Sequence, residues 1–204
     1  MSKTVFENSI SLDGYVAGPN DNPENGMGDG GMRLFEWYQA GDVDMPLPGT
    51  DMAFKVSQAS ADFMQAEWAN LGVMVVGRRT FDIAHGWGGY PPGGGRCFVV
   101  THTVPPEWVN DDSPFTFVTD GIESAVRQAK QVADGKAVSI TSANIAQQCL
   151  SAGLLDELIL NVSPTLLGAG VRLFDHLGSA PFELEQLAVV EGIGVTHLKY
   201  RVIY

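Results

Sequence analysis

Two adjacent arginines, Arg78 and Arg79, stand between Gly77 and Thr80, directly after the apolar run Val73-Met74-Val75-Val76. Such a run reads as a buried strand. The glycine permits a sharp turn with close backbone approach. Two guanidinium groups offer planar donor forks matched to a phosphate, and Thr80 adds a hydroxyl. The same four residues also fit a helix start with solvated arginines. A second strand-to-helix turn comes later. Ala137-Val138-Ser139-Ile140 is a short β-prone run, Thr141-Ser142-Ala143-Asn144 breaks it, and Ile145, Cys149 and Leu150 then recur at helical spacing until Gly153. A strand that turns straight into a helix aims free N–H groups and the positive dipole end at one spot beside the sheet, which suits an anion. The third turn, Phe98-Val99-Val100-Thr101-His102, ends a strand in small polar residues before Pro105-Pro106. By itself it is an ordinary strand and a Pro-bounded loop.

The remaining elements must hold these turns together. Lys3 to Ile10 reads as the first strand, and Ser11 to Gly18 as a loop leaving it. Asn20 to Gly31 is rich in Gly, Asn and Asp, Leu34 to Tyr38 forms an apolar-aromatic patch of about one helical turn, and Asp42 to Thr50 reads as loop again. So long an irregular stretch, from Asn20 to Gly49, is expected to be a lid or binding loop, or else a packing flap. Ser60 is placed to cap a helix running to Leu71, and Gly86 to Gly95 reads as a flexible Gly/Pro loop. Phe115 to Val118 is a strand; Asp120 with Glu123 resembles a capping box before the stripe Ile122, Ala125, Val126, Ala129. Glu157 to Val162 is a strand that leads into a loop from Pro164 to Gly170. Phe182 to Glu191 and Gly194 to Tyr204 alternate as a closing hairpin.

Composition narrows the function. A chain of 204 residues with 45% hydrophobic content can bury one proper core, so residues 1–204 are expected to form a single domain. A net charge of −12 argues against nucleic acid and against an anionic membrane surface as partners. Cys97 and Cys149 lack disulfide or metal spacing, and Cys149 falls on an apolar helix face as a core thiol. His85, His102, His176 and His197 show no ligand spacing, so no metal is expected. No Gly-x-Ser-x-Gly elbow appears, and no His-x-Glu with Pro-Cys-x-x-Cys. No leader and no membrane-spanning run is seen, and a cytoplasmic protein is the simplest expectation.

Ser11-Leu12-Asp13-Gly14 with Ala17-Gly18, Val76 to Phe81, Gly153 to Leu158, and Pro164-Thr165-Leu166-Leu167-Gly168-Ala169-Gly170-Val171-Arg172-Leu173-Phe174 together carry a resemblance. In order and spacing they resemble the dihydrofolate-reductase-like superfamily, and more closely the reductase domain of the riboflavin-biosynthesis deaminase/reductase. The resemblance implies an α/β fold: a central mixed, mostly parallel sheet with flanking helices and a C-terminal antiparallel hairpin. It implies NADPH as cofactor, hydride transfer to a small heterocyclic substrate, and a homodimer. Cofactor contacts would fall on Val16 and Ala17, on Gly77, Arg78, Arg79 and Thr80, and on Thr101 and His102. They would continue on Thr141, Ser142, Ala143 and Asn144, with Ile145 and Gln148 on the helix beyond.

That last turn usually carries two or three glycines in the family. Side chains there could crowd the phosphates, or Ser142 and Asn144 could donate to them. Substrate contacts are expected from Asp13, Trp37, Leu167, Gly168 and Gly170, with Asp13 fixing a loop over the nicotinamide or simply forming a turn. Asp62 is the candidate acid, on the helix that carries a carboxylate in this fold; it could equally serve the helix dipole. Tyr15 replaces the lysine usual in the riboflavin enzymes. The expected reaction is therefore reduction of a ribosylaminopyrimidine or pteridine-like compound. The alternatives are another small carbonyl or imine, or a nucleotide-binding dimer without turnover.

Overall fold

A computed structural model describes every residue except Met1, Gly49, Asp51, Gly94, Asp111, Ser179 and Ala180. In chain order the elements are β1 (Thr4–Ser11), β2 (Tyr15–Ala17), a 3-10 helix (Gly31–Gln39), β3 (Val43–Pro46), β4 (Ala53–Val56) and α1 (Gln58–Trp68). Then come β5 (Leu71–Gly77), α2 (Arg78–Ile83), β6 (Arg96–Val100), β7 (Phe115–Val118), α3 (Ile122–Val132), β8 (Ala137–Thr141) and α4 (Ala143–Ser151). The chain closes with β9 (Glu157–Ser163), β10 (Val171–Arg172), β11 (Glu183–Gly192) and β12 (Val195–Ile203).

Eight strands form the central sheet in the order β11-β12-β9-β1-β8-β5-β6-β7. From β9 to β7 every pairing is parallel, while β12 joins β9 antiparallel and β11 joins β12 antiparallel. The inner strand β5, Leu-Gly-Val-Met-Val-Val-Gly, is apolar through its length because both of its faces are covered. Val75, Val76, Val138 and Ile140 are fully buried. One core joins β1, β5 and β8 to α3 and α4, through Phe6, Val126, Ile145 and Cys149 among others. A second lies beneath α1, β3, β4 and the 3-10 helix, around Trp37, Met45 and Met64. A third gathers around Phe81 of α2, whose ring meets Trp108, Phe115 and Phe117 edge-on.

Several local expectations are corrected. Asp42 to Thr50 is not simply loop: Val43–Pro46 pairs antiparallel with Ala53–Val56 and covers the second core. The Gly49 end of the expected lid, and Gly94 of the Gly/Pro loop, lie outside the described residues. Helix α1 is capped by Ser57, which accepts from the Ser60 N–H; Ser60 itself is buried one turn in. The helix ends at Trp68, and Leu71 already begins β5. The N-cap of α3 is Gly121, with no side-chain cap, so Asp120 and Glu123 do not close a box. The aromatic patch extends into a 3-10 helix of nine residues.

A candidate cofactor cleft

The parallel strands deliver their C-terminal ends to one place. In open parallel α/β sheets this edge is where ligands settle, because each strand hands over to a helix or loop there. Gly77 at the end of β5, Thr101 and His102 after β6, Thr119 after β7, and Thr141 at the end of β8 line a single cleft of about 800 Å3. Asn8 of β1, Val16 and Ala17 of β2, and the first turn of α2 complete it. All fourteen residues expected to touch a cofactor line this cleft: Val16, Ala17, Gly77, Arg78, Arg79, Thr80, Thr101, His102, Thr141, Ser142, Ala143, Asn144, Ile145 and Gln148.

The β8–α4 turn is built around Ser142. Its backbone holds φ 96° and ψ 140°, a conformation that glycine tolerates and L side chains rarely adopt. The Oγ accepts the N–H of Gly77 at 3.2 Å, which ties the two strand ends together. A Cβ added at Gly77 would meet that oxygen at 3.2 Å and Ile145 Cγ1 at 3.3 Å. The serine oxygen is thus turned onto Gly77. The N–H groups of Ala143, Asn144 and Ile145 head α4, where no intrahelical acceptor exists for them. Beyond them Gln148 Nε2 donates to Asn144 Oδ1 at 2.6 Å on the helix surface.

Both arginines are held by carboxylates. Arg78 Nε donates to Asp82 at 2.7 and 2.9 Å, one turn along the same helix, and its Nη1 donates to the Thr103 carbonyl at 2.9 Å. Arg79 Nη2 donates to Asp21 Oδ1 at 2.8 Å and to the Asp21 carbonyl at 2.7 Å; its Nε donates to Asp21 Oδ2 at 3.2 Å. Asp21 pushes the Arg79 guanidinium further toward its charged form. Thr101 Oγ1 donates to the Thr103 carbonyl at 2.9 Å, which shapes the chain leaving β6.

The expected substrate residues are not in the cleft. Trp37 is 2% exposed, and its Nε1 donates to Ser9 Oγ at 3.0 Å. Its ring meets His197 edge-on at 5.1 Å, and neighbouring Tyr38 stacks on Phe54 at 4.0 Å. These aromatics fill the second core and offer no stacking face to a ligand. Asp62 is exposed on α1, accepts from Gln58 Nε2 at 2.7 Å and does not line this cleft. Asp13, Leu167, Gly168 and Gly170 form a separate structural unit. Asp13 accepts from Ser11 Oγ at 2.6 Å and from the N–H groups of Leu167 at 3.1 Å and Gly168 at 2.7 Å. The Ser11 hydroxyl first, and then those N–H groups, hold its carboxyl down at about 2. Gly170, at φ 133°, lies so close to β2 that a Cβ would strike the Ala17 carbonyl oxygen. The loop is therefore a brace behind Val16 and Ala17.

Sequence reasoning missed Asn8, Asp21, Met27, Ile83, Thr119 and Val171, which also line the cleft. Thr119 had a legible signal, since it ends a strand in a small polar residue as Thr101 does. Asp21 had none, because its role depends on a fold-over of 58 positions onto Arg79. Among the described residues no cluster of three or more His, Cys, Asp or Glu could hold a metal, and no helix is long and apolar enough to cross a membrane.

Strand order, helix placement and a cleft at the strand ends define an α/β protein of the dihydrofolate-reductase-like class. A family model described as the RibD C-terminal domain matches residues 3–197, and the chain belongs to that family of riboflavin-pathway reductases. Among solved structures, a putative riboflavin biosynthesis protein from Shewanella sp. PV-4 is 21% identical, with a TM-score of 0.68 over 100% of both chains. A pyrimidine reductase-like protein from Corynebacterium diphtheriae is 14% identical, with a TM-score of 0.60 over 100% of this chain and 92% of its own. Dihydrofolate reductase from Enterococcus faecalis, complexed with NADP(H), is 13% identical, with a TM-score of 0.56 over 99% of this chain and 97% of its own. No curated protein matches the chain in sequence.

Proposed function

We propose that the chain is a single-domain NADPH-dependent reductase. Its substrate on this reading is a small heterocycle of the 5-amino-6-(5-phosphoribosylamino)uracil or pteridine type. The observation that carries the proposal is the convergence, in one 800 Å3 cleft, of two arginines, the hydroxyls of Thr80 and Thr101, and the open N-terminus of α4. The donor set fits a dinucleotide. Free N–H groups at a helix start and charge-assisted guanidinium contacts both favour phosphate, and the Ser142 oxygen is drawn onto Gly77. Arg78, Arg79 and Thr80 would hold an outer phosphate, and Ala143 to Ile145 the pyrophosphate. Val16 and Ala17, braced by the Asp13 loop, would support the nicotinamide end. NADPH, when bound, supplies the hydride; the protein supplies orientation and exclusion of water.

Fluorescence titration with NADPH and NADH tests the reading. NADPH is expected to bind more tightly, because only it carries the extra ribose phosphate. Arg78→Ala and Arg79→Ala are each expected to weaken it by about tenfold, the scale of one charge-assisted contact. Equal affinity for the two cofactors in the parent protein would sink the proposal.

A further inference from the structure

The two cleft arginines differ in what holds them. Arg78 is paired within its own helix, whereas Arg79 is paired with Asp21 on the segment that crosses from β2 to the 3-10 helix. That segment is knit to itself. Gly18 N donates to the Met27 carbonyl at 2.8 Å, Asp29 N to the Pro19 carbonyl at 2.7 Å, and Asn22 and Asn25 exchange backbone bonds at 3.1 and 3.0 Å. Asn20 Nδ2 adds a bond to Asp29 Oδ2 at 2.7 Å. Residues 18–29 thus form a stiff flap. Its contacts to α2 and the turn after it include the Asp21–Arg79 fork, a His85 Nε2 contact to the Pro23 carbonyl at 3.3 Å, and Gly26 seated against Ile83. Asp21, Gly26 and Met27 on the flap and Arg79 and Ile83 on α2 all line the cleft, so the fork bridges its two sides.

We infer that Asp21 sets cofactor affinity: its carboxylate and a cofactor phosphate compete for the Arg79 guanidinium, and the flap leaves α2 when phosphate takes that arginine. This rests on the cofactor reading above. The Asp21 side chain is 16% exposed and Arg79's is 67% exposed, so the carboxylate is tucked under a guanidinium that faces outward. Arg79 already spends Nε and Nη2 on Asp21. A phosphate arriving at the same fork meets an anion already seated, and two anions on one exposed guanidinium repel each other. Whatever the phosphate gains from Arg79 it must therefore take from the flap. By reciprocity, loosening the flap raises phosphate affinity by the same factor.

Isothermal titration of the parent and Asp21→Asn with inorganic pyrophosphate and with NADP+ tests this, with the distance between spin labels on Glu24→Cys of the flap and Asp120→Cys beyond β7 as the second measurement. Asp21→Asn is expected to bind both probes about three- to tenfold more tightly, between an exposed ion pair and a bidentate one. In the labelled protein, saturating NADP+ is expected to lengthen that distance. Asp21→Ser, which frees Arg79 by a different residue, must change affinity in the same direction. Equal or weaker binding by both variants overturns the competition and makes Asp21 a support for Arg79. An unchanged or shorter distance with NADP+ also overturns it. Failure of both probes to bind parent and variants alike overturns the cofactor reading, and this inference with it.

Discussion

Glu7, half-buried, begins a chain of polar contacts on the face of β1 that looks away from the cleft. Its carboxylate accepts from Trp68 Nε1 at 2.9 Å and from Asn161 Nδ2 at 3.1 Å. Asn161 Oδ1 and Ser60 Oγ flank His197 at 2.7 and 2.8 Å, with the ring nitrogens between them. Burial pushes Glu7 up to about 6 from an ordinary 4.5, with the neighbouring Glu67 adding a smaller push, and burial pushes His197 down to about 4. The signs are opposite. An acid raised by folding stabilises fully below 4.5, and that contribution is lost as pH rises through 6. A base lowered by folding stabilises above 6.5, and that contribution is lost as pH falls through 4. The two overlap in the parent, so only a difference separates them. Glu7→Gln keeps an acceptor and cannot charge. Its unfolding free energy is expected to rise relative to the parent by about 2 kcal/mol between pH 4.5 and 7, the linkage of a carboxyl raised from 4.5 to about 6. Urea melts of both proteins across that range check it; a flat difference would show that Glu7 titrates normally.

At the scale of elements, the 3-10 helix from Gly31 to Gln39 takes the place expected of a lid. Leu34 and Trp37 point inward from it, fully buried or nearly so, and Tyr38 stacks on Phe54 of β4. The β3–β4 hairpin covers the same core. An element held by this much apolar surface is part of the body. Trp37→Ala is expected to cost about 3–5 kcal/mol, the range for deleting a large buried aromatic. NADPH affinity per folded molecule should stay as in the parent, since Trp37 does not line the cleft. Thermal melting with cofactor titration checks both. Unchanged stability with lost turnover would restore the ring as a substrate contact. The movable part is instead the flap at residues 18–29, which touches α2 through polar contacts and one glycine.

For the whole molecule, the sheet ends unevenly. At one edge β7 is only four residues long, whereas β11 at the other is ten residues long and largely exposed. Leu184 and Val189 on β11 and Ile203 on β12 leave apolar surface in the open, and Glu183, Glu185 and Glu191 are interspersed. Long edge strands with apolar side chains are pairing surfaces unless covered. We expect a homodimer that uses this hairpin, with sedimentation at micromolar concentration giving twice the chain mass. Val189→Asp is expected to shift it to monomer. A parent that sediments as a monomer removes the expectation.

The sequence by itself determined the parallel strands and their strand-to-helix turns. Each depends on a short local pattern: an apolar run, a glycine or small polar break, then helical spacing. That pattern was enough to place Gly77 to Thr80 and Thr141 to Asn144 at strand-to-helix turns, and the structure lines both turns along one cleft because strand ends in such a sheet all open on the same edge. Tertiary structure alone decided the fate of polar and aromatic residues in the irregular segments. Asp62 and Ser60 share one helix, yet only Ser60 turns toward His197, since α1 is oriented by its packing on β3 and β11. Trp37 could stack on a ligand or fill a core, and the β3–β4 hairpin settled it as core. Asp21 meets Arg79 across 58 positions of chain. No local spacing encodes that contact, because it exists only after β2, the flap and α2 have been brought together by the sheet between them.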